Sequence, residues 1–335
     1  MLRIIYMGTP QFAVPALEAL VGGMAAGTVL TEGYEIVAVI TRLDKPAGRK
    51  QEIVFSPVKQ AALAHGLRVW QPGSLKKAEK QEALAALKPD LMIVAAFGQI
   101  LPQAVLDLPR YGTLNIHASL LPRYRGSSPI SEAILQGERE AGVTIMLLDA
   151  GIDTGPLLLT RAIPVAEDET TASLTPKLAK LGAATLLEAL PGWISGQLVP
   201  QPQDAALASH TRMIRKEDGY IDWSRPAEQL AREVRAYIPW PNASTTWRGK
   251  SLKILAAFPQ SSSSGAEQPG QVALDTLIDA GGTRKNVLRV ATGQGSLLVT
   301  RLQLEGKKAM DVGEFLHGYA GIADEILQSE ERDSP

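Results

Sequence analysis

Along the first half of the chain, short apolar runs alternate with longer stretches of mixed polarity, the pattern of buried parallel strands separated by covering helices. The runs at 2–7, 35–41, 67–70, 91–97, 113–117 and 143–148 read as strands. Between them 11–20, 57–65, 75–87 and 129–136 read as helices, and Ser56–Pro57 and Ser128–Pro129 each place a capping hydroxyl before a first-turn proline. A further helix is expected over 171–190, ended by Pro191–Gly192. The expected fold is α/β, a Rossmann-like, doubly wound, mostly parallel sheet.

The texture changes near residue 205. The stretch LVPQPQDAALASH (198–210) has the proline, glutamine and small-residue content of a linker. Beyond it come one short helix (227–236) and brief strand-like runs at 244–247, 252–257, 287–291 and 297–304, the spacing of a small, OB-like β barrel. The serine-rich 260–268 and Ala280–Gly281–Gly282 read as exposed loops. Expected domains are therefore 1–200, a linker at 201–208, and 209–335.

Composition sharpens this in three ways. A chain of 335 residues suits two domains of roughly 100 to 200 residues each. Its 34 basic and 35 acidic side chains cancel, so a nucleic-acid surface has to be local; 209–322 alone holds 15 Lys plus Arg against 11 Asp plus Glu, mildly basic. The absence of cysteine removes disulfides, thiolate metal sites and cysteine nucleophiles together. The four histidines share no ligand spacing, so no metal is expected. MLRIIYMGTP is too short an apolar run for a signal peptide, and no segment reaches the ~18 apolar residues of a membrane span. A soluble, cytoplasmic protein is expected, and nothing in the residues requires more than a monomer.

Chemistry concentrates in GTLNIHASLLPRYRGSSPI (112–130). Asn115 and His117 lie two apart on one expected strand, so both side chains leave the same face at the sheet's edge, where open α/β sheets bind ligands. An amide donor beside an imidazole suits acyl transfer: one stabilises an oxyanion, the other moves a proton. The plainer alternative is a strand-ending asparagine and an ordinary half-buried histidine. After the strand at 143–148 comes LLDAGIDTGP (147–156), whose Asp153 could orient the imidazole or could simply cap a glycine-rich turn; Asp149 reads as structural. His65, before Gly66, reads as a helix C-terminal residue. The loop 41–50 sets Arg42, Lys45, Arg49 and Lys50 against Asp44 alone, a charge balance suited to an RNA phosphate or to a merely solvated loop.

MGTPQFAVPALEAL (7–20), DKPAGR (44–49), NIHASLLPRYRG (115–126), GVTIMLLDAGIDTGP (142–156), IDWS (221–224) and GKKAM (306–310) together resemble the methionyl-tRNA formyltransferases, in order and over nearly the whole chain. The resemblance implies the formyltransferase fold and transfer of a formyl group from 10-formyltetrahydrofolate to the α-amino group of methionyl-initiator-tRNA, by direct amine attack with no covalent enzyme intermediate. It assigns catalysis to Asn115, His117 and Asp153, the folate donor site to Ser119, Leu120, Leu121 and Pro122, and the acceptor end of tRNA to the 41–50 loop, Arg49 above all. Lys307 and Lys308, with Arg212, Arg215 and Lys216, are the further phosphate candidates. The connections at 21–33 and 261–268 are longer than the family leads one to expect.

Three rivals stay in view. A formyltransferase acting on an amino sugar nucleotide would keep the trio and the folate segment, but not the basic loop and basic second domain. A dinucleotide-dependent oxidoreductase needs a G-x-G-x-x-G turn, whereas the first strand leads into MGTPQF with a single glycine. A non-catalytic RNA-binding module would leave Asn115 and His117 unexplained.

Overall fold

The computed structural model of the chain describes residues 1–26, 30, 33–47, 52–261, 267–278 and 282–329. They form two compact units. The first comprises Met1–Ile130, Glu140–Val165 and Leu174–Arg212; the second comprises Ser131–Arg139, Ala166–Ser173 and Met213–Pro335.

The first unit contains β1 (Leu2–Gly8), β2 (Tyr34–Ile40), β3 (Lys45–Ala47), β4 (Glu52–Val54), β5 (Val69–Trp70), β6 (Leu91–Ala95), β7 (Thr113–His117), β8 (Arg125–Gly126), β9 (Glu140–Leu147), β10 (Leu157–Pro164) and β11 (His210–Thr211). Its helices include α1 (Val14–Ala26), α2 (Pro57–Ala64), α3 (Ala78–Ala85) and α4 (Gln103–Leu106); of the next two, α5 (Pro129–Leu135) belongs to the second unit from Ser131 on, and α6 (Thr171–Ile194) to the first from Leu174 on. Seven strands make one sheet in the order β10-β9-β7-β6-β1-β2-β5. The chain winds outward from β1 through β2 to β5, then restarts on the other side of β1 with β6 and β7, which creates the switch point where such sheets open a crevice. β6 and β7 are buried at every position, as strands covered on both faces are. Ile5, Met7, Met92 and Val94 share one core with Leu84, Val105 and Leu106 from α3 and α4. On the other face α6 comes so close that a Cβ on Gly182 would lie 2.7 Å from the Ile116 side chain.

The expected strands at 113–117 and 143–148 are present, but β9 runs antiparallel to β7. His117 pairs with Thr144, so the chain leaves β7 and enters β9 at the same end of the sheet, with no crossover to turn it round. β10 adds an antiparallel edge strand outside β9. The connection at 21–33 is in part helix, since α1 continues through Ala26. The Ser56 hydroxyl accepts from the Lys59 N–H at 3.1 Å and caps α2, with His65 at its other end. No helix among the described residues is long and apolar enough to cross a membrane.

The second unit is antiparallel: β12 (Ala243–Trp247), β13 (Lys250–Gln260), β14 (Val272–Ile278), β15 (Arg284–Ala291), β16 (Ser296–Leu304) and β17 (Met310–Asp311), with α7 (Ala227–Ala236) and α8 (Val312–Tyr319). The order is β12-β13-β16-β15-β14, and the C-terminal segment bridges towards both edges through Gln328 to Thr246 and Ile326 to Gln271. Trp223, Leu252, Ile254, Leu288 and Phe315 fill its core. The loop at 261–268 falls largely outside the described residues.

Candidate active site

β7 ends in Asn115 and His117, buried to 8% and 6% exposure, on the face away from Ile116 and α6. The loop after β9 starts where Leu147 pairs with Leu114, well before His117, and folds back across this face. That return brings Asp153 to the imidazole, with Oδ2 3.6 Å from Nδ1. The expected trio thus divides into one close pair and an amide on the same strand face. The carboxamide of Asn115 makes no hydrogen bond with any described residue, so its donors are open to a bound molecule.

The protonation of His117 follows from its other nitrogen. Nε2 lies 2.9 Å from the Tyr124 carbonyl oxygen, which can only accept, so Nε2 carries a proton. Nδ1 is left facing the carboxylate. At 3.6 Å the two are too far apart for a direct hydrogen bond; a water can bridge them, and charge attraction arises once the ring is protonated. Both partners of the imidazole have left-handed backbone, Tyr124 at φ 62° and Asp153 at φ 52°. Such residues each cost on the order of 1–3 kcal/mol and persist only where their surroundings hold them.

Those surroundings are specific. The Gly126 N–H donates to Asp153 Oδ2 at 2.8 Å. Gly126 has φ 107°, and a Cβ there would sit 2.5 Å from the Thr211 carbonyl oxygen, so only glycine fits between β8 and β11. The Tyr124 N–H donates to the Ser209 hydroxyl at 2.9 Å. Asp149 is structural, as its loop position leads one to expect: its Oδ1 accepts from the Gly151 N–H and the Thr154 hydroxyl.

Ser119, Leu120, Leu121 and Pro122 follow His117 directly. Thr144, fully buried on β9, ties this turn down: its hydroxyl donates to the Ser119 carbonyl at 2.7 Å and accepts from the Leu121 N–H at 3.2 Å. The Ser119 hydroxyl donates its proton to the Arg123 carbonyl at 2.6 Å, so towards a ligand it can act only as an acceptor.

The basic residues fall in separate places. Lys45 opens the antiparallel β3–β4 ladder, pairing with Val54, and Arg42 precedes it by three residues. Asp44 does not neutralise them: it pairs with Lys59 from α2 and accepts from Gln71, and the Lys59 ammonium holds its carboxyl below the usual carboxylate range. Arg49 and Lys50 lie outside the described residues. Lys307 and Lys308 belong to the second unit, in the turn after β16. Among the described residues no group of three His, Cys, Asp or Glu side chains could hold a metal ion.

Tyr124, which acts through its backbone, and Thr144 and Ser209, whose hydroxyls bond backbone groups, have no spacing signature in the sequence. Gln203 is hidden further, inside the linker-like stretch.

The description "Formyl transferase" matches residues 3–190, and "Formyl transferase, C-terminal domain" matches 213–320. The chain is 45% identical over 318 residues to the methionyl-tRNA formyltransferase of Citrifermentans bemidjiense, covering 95% of this chain and 94% of that one. With the enzyme of the same name from Pseudomonas fluorescens strain SBW25 it is 46% identical over 316 residues, covering 94% and 93%. The fold is similar to that of an N-formyltransferase from Helicobacter canadensis, solved with folinic acid and dTDP-3-aminofucose, at TM-score 0.62 and 18% identity over 89% of this chain and 99% of that one. It is also similar to HypX from Aquifex aeolicus, solved with tetrahydrofolic acid, at TM-score 0.60 and 20% identity; there it covers 99% of this chain but 50% of that one.

Proposed function

This chain belongs to the methionyl-tRNA formyltransferase family, and from that membership we propose that it formylates the α-amino group of methionyl-initiator-tRNA with 10-formyltetrahydrofolate as the donor. The observation that supports the reading best is the pairing of His117 with Asp153 on the strand face that also carries the uncommitted, buried amide of Asn115.

The donor supplies a formyl carbon on a nitrogen that can leave once protonated. The new bond joins that carbon to the acceptor nitrogen, the bond to the donor nitrogen breaks, and one proton passes from the amine to the departing nitrogen. A free α-amino group titrates near pH 8, so a working fraction is neutral at physiological pH. Asn115 donates to the formyl oxygen as it gains charge, a preorganised contact that costs no reorganisation. His117 moves the proton through Nδ1, because Nε2 is committed to Tyr124. The Asp153 carboxylate faces Nδ1 and stabilises the imidazolium when it forms. Ser119 to Pro122, pinned by Thr144, form the wall against which we place the folate.

Arg42, Lys45, Arg49 and Lys50, with Lys307 and Lys308 of the second unit, are proposed as tRNA phosphate contacts. Arg49→Ala is expected to raise the KM for methionyl-tRNA about fivefold to tenfold, the scale of one lost phosphate contact, with folate affinity unchanged. Parallel tRNA titrations and folate binding read this out, and equal loss of both would mean misfolding instead. Initiation of translation places the substrate in the cytoplasm, and every group named comes from one chain, so a monomer suffices. The deciding experiment offers charged initiator tRNA and an amino sugar nucleotide side by side with 10-formyltetrahydrofolate. Formylation of the tRNA alone is expected; formylation of the sugar alone would replace the proposal with its nearest rival.

A further inference from the structure

The stretch 201–208 has the composition of a linker, yet Gln201 bridges to Leu157 and the Gln203 side chain uses both ends of its amide inside the first unit. Gln203 Oε1 accepts from Arg125 Nε at 3.0 Å and Nη2 at 2.7 Å. Its Nε2 donates to two carbonyls of the catalytic loop, that of Asp153 at 2.9 Å and that of Gly155 at 2.7 Å. A carboxamide offers two N–H bonds and one carbonyl, and here all are taken. Arg125 is itself 7% exposed, and Gln203 is the partner of its guanidinium.

We infer that Gln203 is a positioning residue for formyl transfer, holding Asp153 in its left-handed conformation so that the carboxylate meets His117. The inference rests on the catalytic reading of Asp153. Asp153 is held from two sides: the Gly126 N–H takes the carboxylate, and Gln203 takes the backbone carbonyl of the same residue. Without the second hold, a non-glycine residue at φ 52° has reason to relax, and relaxation swings the carboxylate. Displacements of about 1 Å in a catalytic group are enough to cost ~10²-fold in rate, so a partial loosening is expected to cost about tenfold. Only glycine fits at 155, where a Cβ would lie 1.9 Å from the Leu147 carbonyl oxygen, so the loop passes close to the end of β9 at the second carbonyl that the Gln203 amide holds. The amide therefore sets the height of the loop as well as the conformation of one residue in it.

The test is a double-mutant cycle in the full-length protein, with single-turnover formylation of methionyl-tRNA as the readout. Gln203→Leu removes all four bonds. Gln203→Glu keeps an acceptor for Arg125 but turns the donor end into an acceptor facing two carbonyls. Both variants are expected to be slower by about tenfold, with the KM for methionyl-tRNA and the dissociation constant for the folate within twofold of the parent. On an Asp153→Ala background the same changes are expected to cost less than twofold, because residues acting through one group are not additive. A rate within twofold of the parent for Gln203→Glu, or a tenfold cost repeated in full on the Asp153→Ala background, overturns the inference. Melting temperatures separate positioning from folding, and loss of the fold in both variants would also overturn it. Should Asp153→Ala itself react at the parent rate, the catalytic reading fails; a slow Asp153→Ala beside a normal Gln203→Glu removes the positioning role alone.

Discussion

Replacing His117 by alanine is expected to slow single-turnover formylation by about 10² or more, and Asn115→Ala to do the same. Each change removes a group that acts on charge appearing only as the reaction proceeds, so the loss belongs in the rate and not in binding. For Asn115 the reason is its freedom: the amide is buried without a partner among the described residues, so deleting it disturbs no bond on which the fold depends. His117 is different, because its Nε2 bond to Tyr124 also holds a residue at φ 62°. His117→Gln keeps a donor side chain at that position without an imidazole, and is expected to fold like the parent while staying slow. A hundredfold loss corresponds to about 2.7 kcal/mol of transition-state stabilisation. Rates within threefold of the parent in both alanine variants would remove the catalytic assignment.

What the chain reveals about this site before folding depends on which atoms do the holding. Asn115 and His117 are legible because a period of two on an apolar strand puts them on one face. Asp153 is legible as a candidate only, since nothing in LLDAGIDTGP says that its loop folds back over β7. The parts that accomplish this return are backbone groups and uncharged side chains: the Gly126 N–H, the Tyr124 carbonyl, Ser209 and Gln203. Gln203 lies among prolines and small residues, where composition points to a flexible linker, and only the long-range pairing with Arg125 shows otherwise. The elements that pattern reading misses fail for similar reasons. β10 follows Leu157–Leu159 with Thr160 and Arg161 and is exposed over much of its second half, β14 carries Asp275 and Thr276 in an edge strand, and α8 contains Gly313 and Gly318, which weaken a helical signal. The direction of β9 is not a local property at all.

Asp153→Asn is expected to slow formylation by roughly 10 to 10², well short of the ~10⁴ lost when the aspartate of a serine-protease triad is made an asparagine. In the triad the aspartate fixes the tautomer of the histidine, and the amide fixes the wrong one. Here the tautomer is set from the opposite side, by the Tyr124 carbonyl at Nε2, so the substitution leaves the ring's protonation pattern alone and removes only the negative charge near Nδ1. Asparagine can still accept from the Gly126 N–H with its carbonyl oxygen, and the loop keeps its grip through Gln203, so the geometry survives. What is lost is the stabilisation of a charged imidazolium across 3.6 Å, an interaction worth one to a few kcal/mol in a partly buried site. The measurement is the single-turnover rate of Asp153→Asn against Asp153→Ala, which drops the Gly126 contact as well and is expected to be the slower of the two. A loss near 10⁴ in Asp153→Asn would mean that the aspartate, and not Tyr124, sets the tautomer, while a loss under threefold would mean that no charge develops on His117 during the transfer.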